Sequence, residues 1–415
     1  MLRSALVSMT VFQTCLTMIR FPIPAVLLLS ILLGACAASE PVTVENDDLL
    51  DAPVNPLDGY SYLQNEAGSL IMNHSATGTT RLGDSGDMVF SSQSGDGEFV
   101  ALATASATSS VLSLIGRDSG SVLQLHEGGA DLAFTGVWTS DASRFYFGFY
   151  QPVGKQMGEG DIRYVDVATG EIGRVGCSAS KAVLAVMADG SLLVRNSDNL
   201  YQVTADGCDT LRSVDARKMY HITVSPDGGH IAYVLRDLVY NRDSRQYEPD
   251  STLYLELSTG SDPVKIVGDK YAPRNMSWSP DGSEIVFDVG VQDDTSRRAI
   301  SVYTLDSGQS SYLVAPTSTT TSHSHASFSP NGQHVVFKSA ENDGQPDWMV
   351  KTNGVQFSQV LPIDASVEDR QWSWVTGDTA LIAPAGSESE LIVINAGSVA
   401  SVAVGTGVLQ VWTSN

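Results

Sequence analysis

Apolar and polar positions alternate along most of this chain in short runs. Alternating segments such as HITV, NMSW and HASF are followed by short, nearly continuous apolar runs, EFVALAT, RFYFGFY, HIAYVL, SEIVFDV and HVVFKS, and no long run keeps the helical period. That pattern predicts strands. The runs are punctuated by turn signals of one kind. Ser225-Pro226-Asp227-Gly228 precedes HIAYVL, Ser279-Pro280-Asp281-Gly282 precedes SEIVFDV, and Ser329-Pro330-Asn331-Gly332 precedes QHVVFKS. Proline presets φ at the first corner, and Asp or Asn followed by Gly tolerates the tight geometry, so each block predicts a strand–turn–strand hairpin. A second hairpin signal follows each one: LYLELSTGSDPVKIV, SVYTLDSGQSSYLV and DWMVKTNGVQFSQVL. The unit is therefore four short antiparallel strands.

Degenerate copies fill the rest. Aligned on the turn, the copies stand at positions 94, 139, 187, 225, 279, 329 and 375, a period of a β-propeller blade. The last residues, LQVWTSN, match the first strand of a unit that nothing completes, whereas YSYLQ and SLIMNHSATGTTRLG near residue 60 match the missing later strands. Joining them closes a ring and hides an edge that would otherwise template aggregation. The expected fold is all-β: a propeller of four-stranded antiparallel blades over 57–415, eight in number, seven continuous and one composite. Seven blades is the alternative, should the terminal strands pack outside an existing blade. A length of 415 residues would by itself suggest two or three domains; the repeat reduces them to one.

The blocks MSWSPDGSEIVF, ITVSPDGGHIAYV and ASFSPNGQHVVF resemble the TolB-type, WD40-like propeller repeat. The resemblance covers 57–415 and implies a fold more than an activity, because relatives include protein-binding scaffolds, the gating propellers of prolyl-oligopeptidase-like peptidases, and oligogalacturonate lyase.

The N-terminus changes the picture of where the ring works. Arg3 and Arg20 precede or adjoin the apolar stretch FPIPAVLLLSILL, and no acid occurs before Glu40. A short apolar core after a basic residue predicts an export signal over 1–35 and not a spanning helix. Met18 offers an alternative start. Leu33-Gly34-Ala35-Cys36 resembles the lipobox of bacterial lipoproteins, which implies lipidation at Cys36; the alternative is an ordinary signal peptide. Ala37, in place of an aspartate, then favours the outer over the inner membrane. Residues 36–56 are acidic and proline-bearing, and predict a flexible tether facing the periplasm. Cys15 leaves with the signal. Cys177 and Cys208 remain as a candidate disulfide in an oxidising compartment, with two buried free thiols as the alternative.

The chain has 24 Lys and Arg against 47 Asp and Glu, a net charge of −23; loss of the signal leaves 22 cations and a balance of −25. Such a chain repels phosphate backbones, so nucleic acid is excluded as a partner, and membrane contact is expected through the lipid anchor only.

In a propeller the first strand of each blade lines the channel, and its starting end opens at a mouth. Four residues before each aligned turn stand Phe90, Thr135, Val183 and Leu409 on one half of the ring, and His221, Asn275, His325 and Gln371 on the other. Arg274, His323, Asp369 and Arg370 lie beside them. This convergence makes His221, Arg274, Asn275, His323, His325, Arg370 and Gln371 the candidate ligand set; the alternative is that they bond inter-blade backbone and water. His323 and His325 are two apart on a strand, which predicts one face and room to chelate a divalent metal with His221. The block SHSHASFSPNG resembles the metal-binding segment of oligogalacturonate lyase, but Thr320 stands where that family's metal-binding Gln precedes the pair, and the preceding blade offers no histidine. No nucleophile elbow and no phosphate-cradling glycine loop occurs. Trp138, Trp278, Trp374 and Trp412 recur before the turns and predict packing between blades. The expectation is a monomeric, non-catalytic, cofactor-free binding scaffold for an envelope protein or peptidoglycan-associated partner. A small-ligand or metal site at the mouth, with lyase-like chemistry, is the alternative.

Overall fold

The computed structural model describes residues 57–413, interrupted by short stretches of which 177–181, 213–217, 342–346, 354–358 and 361–370 are the longest. The expected export signal over 1–35, the tether over 36–56, Cys36, Cys177, Asp369 and Arg370 lie outside the described residues.

Eight four-stranded antiparallel sheets make up the described chain. Seven are continuous in sequence. Blade one runs from Asp87–Gln93 to Val122–Gly129, blade two from Ala133–Trp138 to Ile172–Arg174, and blade three from Ala182–Val186 to Cys208–Arg212. Blade four contains Met219–Val224, His230–Asn241, Gln246–Leu257 and Val264–Val267. Blade five contains Arg274–Trp278, Glu284–Val291, Asp294–Thr304 and Gln309–Val314. Blade six contains Thr321–Phe328, His334–Glu341, Asp347–Thr352 and Gln359–Val360, and blade seven runs from Gln371–Trp374 to Ser398–Thr406. The eighth is composite: the C-terminal Val408–Thr413 pairs with Tyr60–Glu66, which continues into Ser69–His74 and Gly78–Asp84. The fold is an eight-bladed β-propeller closed by strands from both ends of the chain.

The turns form as their residues dictate. Ser279 Oγ donates to Asp281 Oδ1 at 2.7 Å and accepts from the Glu284 amide at 2.9 Å, so one nearly buried hydroxyl spans the hairpin. Ser329 does the same with Asn331 and His334. The glycine that ends each turn is left-handed, with φ of 70° at Gly228 and 72° at Gly282.

The core consists of layers between blades. Apolar side chains of each blade meet those of the next around the ring, as Ala101, Leu112 and Leu125 of blade one meet Phe134, Phe147 and Phe149 of blade two. Blade eight joins both neighbours in the same way, through Leu63 and Met72 against Val100 and Ile115, and through Val411 beside Val404. Trp278 is buried between blades four and five, and Trp138 packs in the first layer while its indole N–H donates to the Ser92 carbonyl at 3.3 Å. First strands of adjacent blades also touch each other, which places them innermost.

Candidate functional site

The innermost strands are not regular. In blades four, five and six the register slips where two residues oppose one, between Tyr220 and Thr223, between Arg274 and Ser277, and between Ser324 and Ser327. The first residue of each bulge is forced into the left-handed region: His221 at φ 51°, Asn275 at 46° and His325 at 58°. None is glycine. Each such residue costs on the order of 1 kcal/mol or more, and strain of this kind gathers at ligand clamps and active sites. Blades one, three and eight also bulge, near Val89, Leu184 and Leu409, without a positive φ. The irregularity is thus repeated in three consecutive blades, at the position where the sequence changes from apolar to polar.

Cations converge on these bulges. Burial lowers the pKa of His325, and Lys338, Arg298 and His221 lower it further. Burial, then Arg274, lowers that of His221. Contributions thus come from blades four, five and six. The His325 Nδ1 lies 3.0 Å from Ser324 Oγ. Asn275 donates to Asp288 Oδ2 at 3.4 Å. Asp288 is 1 % exposed and accepts from Arg298 Nε at 2.9 Å. Arg298 also donates through one terminal nitrogen to the Ala272 carbonyl at 2.7 Å and the Asp288 carbonyl at 2.9 Å. Burial pushes the Asp288 carboxyl up to about 6 in spite of its partner, because desolvating the carboxylate outweighs the ion pair. Its second oxygen, Oδ1, has no hydrogen-bond partner.

The structure brings together His221, Arg274, Asn275 and His325, and adds Arg298, Lys338 and Asp288, which lie on the second and third strands. A sequence signal for the last existed: Asp288 interrupts the apolar run of EIVFDVGV, and a buried acid requires a partner. Gln371 begins the first strand of blade seven. His323 departs from expectation. It is 5 % exposed and its ring meets Phe337 edge-on at 5.4 Å, whereas His325 is exposed. The bulge at His325 breaks the alternation that would have put both imidazoles on one face. Among the described residues no three His, Cys, Asp or Glu gather where one cation could bind them all. Cys208 is held in a disulfide.

No protein-family model matches the sequence, and no curated protein matches it. Solved structures match the fold. Dihydro-heme d1 dehydrogenase NirN in complex with DHE has a TM-score of 0.55 at 15 % identity, over 88 % of this chain and 76 % of that one. Oligogalacturonate lyase in complex with manganese has 0.50 at 15 %, over 84 % and 96 %. A Mycobacterium tuberculosis puromycin-hydrolyzing peptidase has 0.50 at 12 %, over 78 % of this chain and 54 % of that one, so this chain spans about half the peptidase's length. TolB structures are among the matches, with TM-scores of 0.39 and 0.36. Identities this low carry the propeller fold and nothing of these proteins' chemistry.

Proposed function

We propose that the chain is a binding propeller of the cell envelope, lipid-anchored through Cys36, and that it receives an anionic group of an envelope protein or peptidoglycan-associated partner at the channel mouth of blades four to six. The supporting observation is the repeated bulge: three consecutive blades hold His221, Asn275 and His325 in a left-handed conformation among Arg274, Arg298 and Lys338. In a chain with a net charge of −23, Arg274 and Lys338 stand with these imidazoles, and cations gathered at one place select for negative groups. A disulfide at Cys208 favours an oxidising compartment. The expected action is binding without turnover, from an outer-membrane, periplasm-facing position.

Affinity capture from envelope extracts tests this. The native protein is expected to retain a partner that the His221→Ala/His325→Ala double variant loses, and equal recovery by both contradicts the reading. Metabolic labelling with a fatty acid, lost in Cys36→Ser, tests the anchor separately.

A further inference from the structure

A second recess lies away from the channel, between the outer strands of blades four and five. It encloses about 300 Å³, at the small end of ligand sites. Cross-strand register builds one wall: Phe287 pairs with Ser301, and Ser301 with Tyr312, so the three stand in a row across blade five. Tyr271, just past the last strand of blade four, lines the recess together with Ser310 and Ser311. Ser301 is only 4 % exposed, lines this recess, and makes no hydrogen bond through its hydroxyl. Its hydroxyl opens into the recess and is free to pair with a hydroxyl of a ligand. Tyr312 leaves 51 % of its surface to solvent, although Tyr is costly to expose. Among the described residues no charged side chain lines the recess.

These features specify a ligand with apolar faces and hydroxyl edges but no charge. We infer that the recess binds a neutral pyranose unit of a glycan, its C–H face against the tyrosine rings and its hydroxyls paired with Ser301, Ser310 and Ser311. An aromatic peptide side chain would satisfy the rings and leave the three serines unpaired. An anion would find no counter-charge among the described lining residues. The site is independent of the channel mouth, so either can fail alone.

Calorimetric titration of the purified protein with maltotriose, cellotriose and triacetylchitotriose, all uncharged, tests the assignment. At least one sugar is expected to bind in the micromolar to millimolar range with little dependence on salt. Tyr312→Ala, at an exposed position that leaves folding intact, should weaken it by about tenfold or more. Ser301→Ala should weaken it less, and His221→Ala/His325→Ala should leave it unchanged. Absence of binding by all three sugars overturns the proposal. So does unchanged affinity in Tyr312→Ala, or stronger binding of N-acetyl-tryptophan amide than of any sugar.

Discussion

At the scale of the residue, the mouth stores strain. His221, Asn275 and His325 occupy backbone conformations that glycine adopts freely. If the protein needs only a closed ring, these positions are unfavourable for no return. His325→Gly is therefore expected to raise stability by roughly 1 kcal/mol in chemical denaturation while weakening partner capture. A loss of stability would mean that the imidazole has a structural role there. His323 is the buried member of the pair, packed edge-on against Phe337. Burial holds its pKa below the usual histidine value, so the folded state favours the neutral ring. Its stabilising contribution is present above pH 6.5, where both states are neutral, and is lost as pH falls and the unfolded chain takes up the proton. Asp288 runs the other way: with its carboxyl raised to about 6 from 3.8, its contribution is present below 3.8 and lost as pH rises through 6. His323→Leu should thus flatten the decline in denaturation midpoint between pH 7.5 and 5.5 relative to the native protein. Parallel curves would show that His323 does not couple to folding. The candidate residues were legible in the sequence as a polar half-ring, but their strain was not. Left-handed φ is signalled by Gly or Asn, and only Asn275 among the three gives that sign. The partition of His323 from His325 was hidden for the same reason, since a bulge leaves no mark in the alternation of the flanking residues.

At the scale of the element, the serine-bridged turns were the most legible feature, because proline, aspartate and glycine each act through backbone geometry that does not depend on distant contacts. The register within blades was less so: bulges depend on how neighbouring blades meet. Gly228 shows the difference. Its turn resembles the others, but a Cβ there would stand 2.5 Å from the Ala188 backbone nitrogen and 2.7 Å from the Met187 carbonyl carbon, both in the loop after the first strand of blade three. Gly190 is also left-handed, at φ 80°, and has open space around it. Gly190→Ala is expected to cost about 1 kcal/mol from backbone strain alone. Gly228→Ala should cost roughly 3 kcal/mol or more, since backbone must move to admit the methyl. Equal losses in urea denaturation would contradict the close approach of blades three and four.

At the scale of the whole molecule, stability depends on closure. Val408 and Val411 are buried at the junction of blade eight, and their strand covers the edge of Tyr60–Glu66. Deleting residues 408–415 should replace a single cooperative melting transition with a broad one and promote aggregation visible by light scattering. A sharp transition near the native midpoint would show that the strand is dispensable. The composite blade was legible because an orphan first strand at one end answered three orphan strands at the other. The proposed anion site at the channel mouth is tested most directly by a titration with sulfate, whose charge is constant across the pH range used. His221 and His325 have lowered pKa values in the free protein through burial and neighbouring cations; an anion raises them, so binding takes up protons. Sulfate is expected to bind about tenfold more tightly at pH 5.5 than at pH 7.5, to weaken with salt, and to lose most of its affinity in His221→Ala/His325→Ala. Affinity that is independent of pH, or unchanged in the double variant, would contradict an anion site at the mouth of blades four to six.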